Sequence, residues 1–258
     1  MIKRPDEIER LARAGALLAQ VFARLDTLPL EGRSTMQIND LVERMIVDEL
    51  QARPASKGQY GFGYVLNASI DDVVCHGVPS NADVLRSGQI VNLDITLEKD
   101  GYIADSSTTY LVGDVAYPAR RLVSAAYRAL WHGIAAVRPG ARTGDIGHAI
   151  TRYARAQGYS VVREYCGHGI GRQMHEDPQI LHDARPGTGP LLAEGMVFTI
   201  EPMLNQGKRA IRTAPDTWPV YTRDGTLSAQ FEHTVAVTRT GARVLTLRPG
   251  ETPLAATG

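Results

Sequence analysis

The sequence predicts a single α/β domain of the α+β type, with two similar halves that bring paired acidic residues together at one site. The order helix, helix, strand, strand occurs twice along the 258 residues, at approximately 6–114 and 117–247, and we expect one domain over 1–258. In each copy, two acidic residues lie within stretches that are otherwise apolar or rich in glycine. An ionised carboxylate is costly to bury without a partner, so these acids predict a shared ligand.

The first half shows helical periodicity followed by strand signals. Residues 6–25 carry apolar side chains at alternating steps of three and four, which predicts a helix with one buried stripe. A second helix is predicted from Ser34 or Thr35 to the break at Pro54. Extended segments are predicted at 70–76, 90–97 and 102–112. A turn at 99–101 should join the last two in a hairpin that carries two acids.

The second half begins the same order again. Helices are predicted at 118–137 and 143–157, and the frame G-x-x-T-x-x-I at 32–38 occurs again at 140–146. A second pair of acid-bearing strands should follow, joined by a longer loop that contains Trp218. Two such halves facing each other across a pseudo-twofold axis would bring both acidic pairs to the centre.

Five side chains form the candidate metal-ligand set. They are Asp94, Asp105, His168, Glu201 and Glu232. A single acid would ordinarily be solvated or salt-bridged, but five ligand-type residues in such contexts favour metal. Four carboxylates and one imidazole suit two divalent cations, with manganese, iron or cobalt as candidates and zinc as a further option. Two metals about 3.5 Å apart can share a hydroxide and polarise a carbonyl, so we expect a hydrolase.

Two further histidines lie in rigid turns. His76 is followed by glycine and a nearby proline, and His175 lies in the segment 174–178 (MHEDP). Either could be an ordinary core or surface histidine rather than a functional one. The glycines at 167–171 do not form a dinucleotide-binding loop, because Arg172 occupies the position of the third glycine. A Cys-His nucleophile built on Cys75 or Cys166 is disfavoured, since sequence neighbours seldom face each other.

Composition excludes several classes of function. The 28 basic residues balance the 28 acidic ones without a run of like charges, so we expect no dedicated nucleic-acid site. No stretch approaches the roughly 20 apolar residues of a membrane span, and the N-terminus lacks the apolar segment of a signal peptide. Two cysteines cannot make a disulfide framework. We therefore expect a cytoplasmic protein that does not bind membranes.

Five segments together closely resemble the methionine aminopeptidases of the short bacterial type (type I). These segments are 73–79 (VVCHGVP), 91–96 (VNLDIT) with Asp105, 164–171 (EYCGHGIG), 198–203 (FTIEPM) and 228–234 (SAQFEHT). The resemblance runs nearly end to end. It implies the pita-bread (creatinase/aminopeptidase) fold around a central antiparallel sheet. It also implies metal-dependent removal of the initiator methionine from nascent proteins and peptides, with a preference for a small second residue.

The resemblance also implies roles for individual residues. The metal ligands fall on the five residues already chosen, with Asp105 and Glu232 bridging the two metals and Glu201 also moving a proton. His76 and His175 would contact the scissile peptide, and Thr96 would lie behind the ligands. The substrate pocket would be formed by Phe62, Asn67, Met174 and Trp218 together with both histidines. Polar residues at Ser56, Gln59 and Asn67 would make this pocket more polar than is usual in the family.

Two alternatives remain at this level. A proline-directed pita-bread peptidase would share the five ligands, although such relatives usually carry an additional N-terminal domain. A non-catalytic pita-bread protein would bind peptides without keeping the ligand set. The implied partners are N-terminal methionine peptides, nascent chains and the ribosome, and we expect a monomer.

Overall fold

The computed structural model describes residues 2–215 and 217–252. Four α-helices lie in these ranges: α1 (Pro5–Leu25), α2 (Thr35–Arg44), α3 (Tyr117–Ala135) and α4 (Thr143–Ala156). Helix α2 continues into a π-helical turn at Met45–Glu49, and a 3-10 turn covers Gln59–Gly61. None of the helices in the described ranges has both the length and the apolar character needed to cross a membrane.

Fifteen strands are described, and most are short. In chain order they are β1 (Arg53–Pro54), β2 (Leu66–Ile70), β3 (Val73–Cys75), β4 (Ile90–Lys99), β5 (Tyr102–Leu111), β6 (Ser160–Val161), β7 (Gly167–Gly169), β8 (Glu176–Ile180), β9 (Val197–Ile200), β10 (Met203–Asn205), β11 (Ile211–Thr213), β12 (Val220–Thr222), β13 (Ser228–Gln230), β14 (His233–Val237) and β15 (Ala242–Val244). Strands β4 and β5 have ten residues each and form the predicted hairpin.

All four predicted helices are present. At the start of α2, the Ser34 hydroxyl accepts the Gln37 N–H, and the Gln37 side chain accepts the Ser34 N–H, which makes a capping box. The prediction that this helix continues to Pro54 is wrong, because α2 ends at Arg44. The chain then enters the π-helical turn, where Met45 and Ile46 remain buried and so extend the apolar stripe.

Two antiparallel sheets meet at the acidic residues. Strand β4 pairs with β5 along its whole length and with β2 and β1 on its other edge. The second sheet has the order β15-β14-β9-β7-β8. A single bridge between Ser107 of β5 and Glu232, just before β14, joins one sheet to the other. The sheets are therefore continuous at the point where the acids lie.

The helices bury one face of each sheet. Phe22 of α1 and Ile38 of α2 share a core cluster with Leu93 of β4. Leu130 of α3 shares another with Phe198 of β9. All five side chains are fully buried, and each such burial contributes roughly 2 kcal/mol. The helices cover one face of these strands with apolar cores, and the opposite face is left to form a polar cavity.

The connection between β9 and β14 differs from the simple long loop predicted. It contains β10 to β13, which pair outside the main sheets in two three-stranded groups, β13-β10-β6 and β11-β12-β3. These strands have only three residues each; β11 and β12 pair as near neighbours in the sequence, whereas β6 and β3, which complete the two groups, lie far away in the sequence. The division into related halves at 6–114 and 117–247 within one domain stays a prediction; residues 253–258 of that domain lie outside the described part.

Candidate active site

Strand register puts the acids on one face. In the β4–β5 hairpin Asp94 is opposite Ser107, and Ser107 bridges to Glu232. His233 pairs with Ile200 in the next ladder, so Glu232 and Glu201 are neighbours just beyond its end. Side chains of directly paired residues share a face of a sheet. Asp94, Glu232 and Glu201, from three separate stretches of chain, are thereby aligned in one row.

Asp105 and His168 complete the cluster. Asp105 lies two residues from Ser107 on β5 and therefore faces the same side as Asp94. The His168 Nε2 atom is 3.9 Å from Asp105 Oδ2 and 3.6 Å from Glu201 Oε1. Ligand atoms of Asp105, His168 and Glu232 all lie within 4.8 Å of one another. One ion can reach several of these groups together.

The cluster forms one wall of a cavity of about 910 Å³. Every site residue that the sequence predicts lines it: Phe62, Asn67, His76, Asp94, Thr96, Asp105, His168, Met174, His175, Glu201, Trp218 and Glu232. Among the described residues that line the cavity there is no lysine or arginine. No cationic side chain of the described residues therefore faces the carboxylates from within the cavity, and Arg248, which lies outside this lining, only partly offsets the raised pKa of Glu232.

Burial and mutual repulsion disfavour the ionised forms of these acids. Burial raises the pKa of Glu201 to about 8 and that of Asp94 to about 6. The pKa values of Asp105 and Glu232 are also well above their ordinary values, first through burial and then through neighbouring carboxylates. Burial lowers the pKa of His168 to about 4, so its ring is neutral and can donate a lone pair. Protons and divalent cations would compete for this cluster.

The residues present fit a metal centre. The Asp105 Oδ1 atom is buried and has no hydrogen-bond partner among the described residues, although a carboxylate oxygen in such a position ordinarily has one. Oxygen ligands with one imidazole suit manganese, iron or cobalt. An unpartnered oxygen in a cluster of like charges is the expected state of a ligand whose partner is a cation.

Backbone and ring contacts fix the two further histidines. His76 follows β3 with a φ of +58°, an uncommon value for a residue other than glycine, and its ring meets Tyr165 edge-on at 5.3 Å. The His175 ring stacks on Tyr60 at 5.9 Å and meets the His168 ring at 4.4 Å. Burial lowers the pKa of His76 and of His175. Both rings are neutral near pH 7 and available as hydrogen-bond donors.

An aromatic corner lies in the same cavity. The Phe62 ring meets Trp218 edge-on at 5.2 Å, and buried Met174 lines the same space. Two of the three polar residues predicted there are already partnered: the Ser56 hydroxyl donates to the Val65 carbonyl at 2.9 Å. Asn67 donates to Asp94 Oδ2 at 3.4 Å. Gln59 also lines the cavity.

Thr199 and His182 contact two of the predicted ligands, His168 and Glu201, and the sequence did not point to either. Thr199 Oγ1 accepts the His168 N–H at 2.9 Å and donates to Glu201 Oε1 at 2.8 Å, so one hydroxyl orients two ligands. His182 Nε2 accepts the Glu201 N–H at 3.1 Å. Burial lowers the His182 pKa to about 3, which keeps this nitrogen free to accept. A threonine within the FTIEP segment was the only available signal.

The fold and this cavity define a metallopeptidase. Residues 9–239 match the sequence profile of metallopeptidase family M24, and the chain belongs to that family. It is 44% identical over 251 residues to "Methionine aminopeptidase" of Escherichia coli strain K12, covering 97% of this chain and 95% of the relative. It is 46% identical over 246 residues to "Methionine aminopeptidase B" of Synechocystis, covering 93% and 89%.

A solved structure gives the same result in three dimensions. The crystal structure of methionine aminopeptidase from Rickettsia prowazekii superposes with a TM-score of 0.93 at 44% sequence identity, covering 96% of this chain and 99% of that one. The predicted pita-bread fold and the resemblance to the short bacterial aminopeptidases are confirmed. The comparisons support this interpretation rather than the proline-directed or non-catalytic alternatives.

Proposed function

We propose that the protein is a metal-dependent aminopeptidase that removes N-terminal methionine from peptides and proteins. One observation carries the proposal: a single cavity contains a carboxylate and histidine cluster together with the apolar side chains of Phe62, Met174 and Trp218. The similarity to methionine aminopeptidases over nearly the whole chain supports it. The chemistry is hydrolysis of the first peptide bond.

Five side chains would hold the metal. Asp94, Asp105, His168, Glu201 and Glu232 would bind two divalent ions, with Asp105 and Glu232 shared between them; manganese, cobalt or iron are the candidates. Bound divalent ions supply Lewis acidity and an activated water. Thr96 lies directly behind the cluster, where its hydroxyl is buried and lacks a partner among the described residues. It is available to orient Asp105, its cross-strand partner.

Glu201 would move the proton. Its pKa, raised to about 8 by burial, lies near the working pH, where a carboxylate both accepts and returns a proton efficiently. We assign it to take the proton of the attacking water and give it to the leaving amine. Thr199 and Gln230 donate to its two oxygens and hold it in place.

His76 and His175 would contact the scissile peptide. His175 lies against His168 and would donate its N–H to the oxygen that gains charge during attack. His76 lies across the cavity between Tyr165 and Trp218 and would contact the peptide nitrogen. Both roles need a neutral ring with one N–H, which matches the lowered pKa values.

The N-terminal residue of the substrate would be recognised through the charge of its α-amine and the shape of its side chain. The free α-amine would lie beside Asp94, whose carboxylate is also held by Asn67. The methionine side chain would enter the corner formed by Phe62, Met174 and Trp218, where sulfur and aromatic rings attract. A substrate without a free amine could not make the first contact, which explains action at an N-terminus.

The cellular setting follows from the same activity. We propose nascent chains emerging from the ribosome as the substrates, a small second residue as the preference, the cytoplasm as the location and a monomer as the active form. Every chain carries its initiator methionine from the start of synthesis, so the nascent chain is the earliest substrate available to such an enzyme.

The test is release of free methionine from the peptide Met-Ala-Ser by metal-free protein reconstituted singly with manganese, cobalt, iron or zinc. Metal-dependent release with no cleavage of acetyl-Met-Ala-Ser supports the proposal and ranks the metals. Cleavage confined to peptides with proline in second position would refute the substrate assignment. Stoichiometric metal binding with no release from any peptide would refute the activity itself.

A further inference from the structure

Charge is distributed very unevenly along this electrically balanced chain. Residues 115–163 contain eight arginines: Arg120, Arg121, Arg128, Arg138, Arg142, Arg152, Arg155 and Arg163. The same stretch contains one acid, Asp145, whereas the complete chain has as many acids as bases. All eight arginines are exposed. A balanced composition therefore conceals a strongly positive region on α3, on α4 and on the chain that flanks them.

Helical spacing makes this region continuous. Arg121 and Arg128 are seven residues apart on α3, so they share a face about 10 Å long. On α4, Arg152 and Arg155 are three residues apart and also share a face. Arg152 and Arg128 both lower the pKa of His132, after burial, so arginines of the two helices approach the same ring.

A cavity extends the positive region beyond the helices. It measures about 750 Å³ and is lined by His148, Arg152, Arg155, Arg163, Arg185 and neighbouring small residues. Asp183 is the acid in its described lining, at 3.5 Å from Arg155 and 2.5 Å from Arg163. One carboxylate against four guanidinium groups fixes two of them in place and leaves the cavity positive. This cavity shares no lining residue with the peptidase cavity.

Aromatic rings lie within the positive region. His132 stacks on Tyr153 at 4.3 Å, with ring planes 26° apart, between the arginines of α3 and α4. The apolar sides of both helices are buried in the core, so neither helix has an apolar face left to insert into a membrane. Guanidinium groups interleaved with aromatic rings on a polar face match the phosphates and exposed bases of a nucleic acid.

We propose that this arginine face, defined as Arg121, Arg128, Arg152, Arg155, Arg163 and Arg185, binds the phosphate backbone of structured RNA. Its extent over two helices and a cavity exceeds what one small anion can contact. Planar guanidinium forks make paired hydrogen bonds to phosphate oxygens. The face is separate from the peptidase cavity, so RNA binding does not depend on the proposed peptidase function.

The test is fluorescence anisotropy with a labelled RNA hairpin of about 20 base pairs, titrated with full-length protein in about 50 to 200 mM potassium chloride. The variant is the double substitution Arg128→Gln and Arg152→Gln. A matched control, Arg44→Gln with Arg86→Gln, removes the same charge from exposed positions elsewhere. Methionine release from Met-Ala-Ser is measured on all three proteins as a check of folding.

The proposal predicts salt-dependent binding by the unaltered protein. Loss of two phosphate contacts should lower the slope of log affinity against log salt by about 1.8 and weaken binding at least roughly tenfold near 0.1 M salt. The control should bind normally, and all three proteins should hydrolyse the tripeptide equally. Loss of tripeptide hydrolysis by the unaltered protein would concern the peptidase proposal alone.

Four outcomes would overturn the RNA assignment. The first is absence of binding by the unaltered protein near 0.1 M salt. The second is equally weakened RNA binding by the control variant, which would show that binding depends on net charge and not on the arginine face. The third is full competition by low millimolar inorganic phosphate at constant ionic strength, which would make the cavity a small-anion site. The fourth is unchanged RNA binding by the variant together with lost binding to phosphatidylglycerol vesicles, which would identify a membrane as the partner.

Discussion

Replacing Gly167 by alanine should disable the metal centre without changing any ligand. A Cβ at this position would lie 2.2 Å from the Thr199 carbonyl oxygen, whereas ordinary contact begins at 3.4 Å, so β7 and β9 must separate by about 1.2 Å. Thr199 also holds His168 and Glu201 through its hydroxyl. A displacement of about 1 Å can cost on the order of 10²-fold in rate. We therefore expect kcat/KM to fall by about that factor.

The assay combines methionine release from Met-Ala-Ser with metal content after dialysis. Gly167→Ala should lose both rate and tightly held metal, since His168 moves away from its neighbours. Gly63→Ala is the matched control, because a Cβ there meets nothing within 4 Å, and it should stay within about twofold of the unaltered activity. Full activity and full metal content in Gly167→Ala would refute the argument that strand spacing sets the site.

Three further predictions concern the cluster itself. Glu232→Gln should abolish turnover and weaken manganese binding in calorimetry, because a shared ligand loses its charge; undiminished activity would remove Glu232 from the ligand set. His175→Ala should lower kcat while metal content stays intact, since its ring contacts substrate rather than metal, and a fully active variant would contradict that role. Metal affinity should rise between about pH 6 and pH 8, because the raised pKa values of Asp94 and Glu201 keep protons on the cluster at lower pH. Calorimetry in buffers of different ionisation enthalpy should show proton release on binding, and pH-independent affinity would contradict it.

The candidate site could be predicted because its signal is local in the sequence. Asp94 interrupts an apolar run and Glu201 ends another, and each placement is costly unless the carboxylate is partnered. The predicted turn at 99–101 places Asp94 and Asp105 on the two strands of one hairpin, and the observed register then shows that they share a face. Long periodic stripes such as the one in α1 fix a helix and its buried face for the same reason.

What escaped prediction depends on contacts between distant residues. His182 is a single histidine after β8, and only the folded chain brings it to the Glu201 backbone. Strands β10 and β13 have three residues each, too few for a periodic pattern, and they pair only because the chain folds back on itself. The excess of positive charge around α3 and α4 was not predicted either, because the arginines are spread along the sequence and form no consecutive run.

The bridge between Ser107 and Glu232 also bears on when the site forms during synthesis and folding. Two of the proposed ligands, Asp105 on β5 and Glu232 beside β14, are separated by more than a hundred residues, so a chain still being synthesised lacks the last of the set until Glu232 has been made. The complete set of proposed ligands therefore comes together only when the two sheets have closed. A bound ion would link the two sheets at this bridge, and its loss would destabilise the contact between the sheets first.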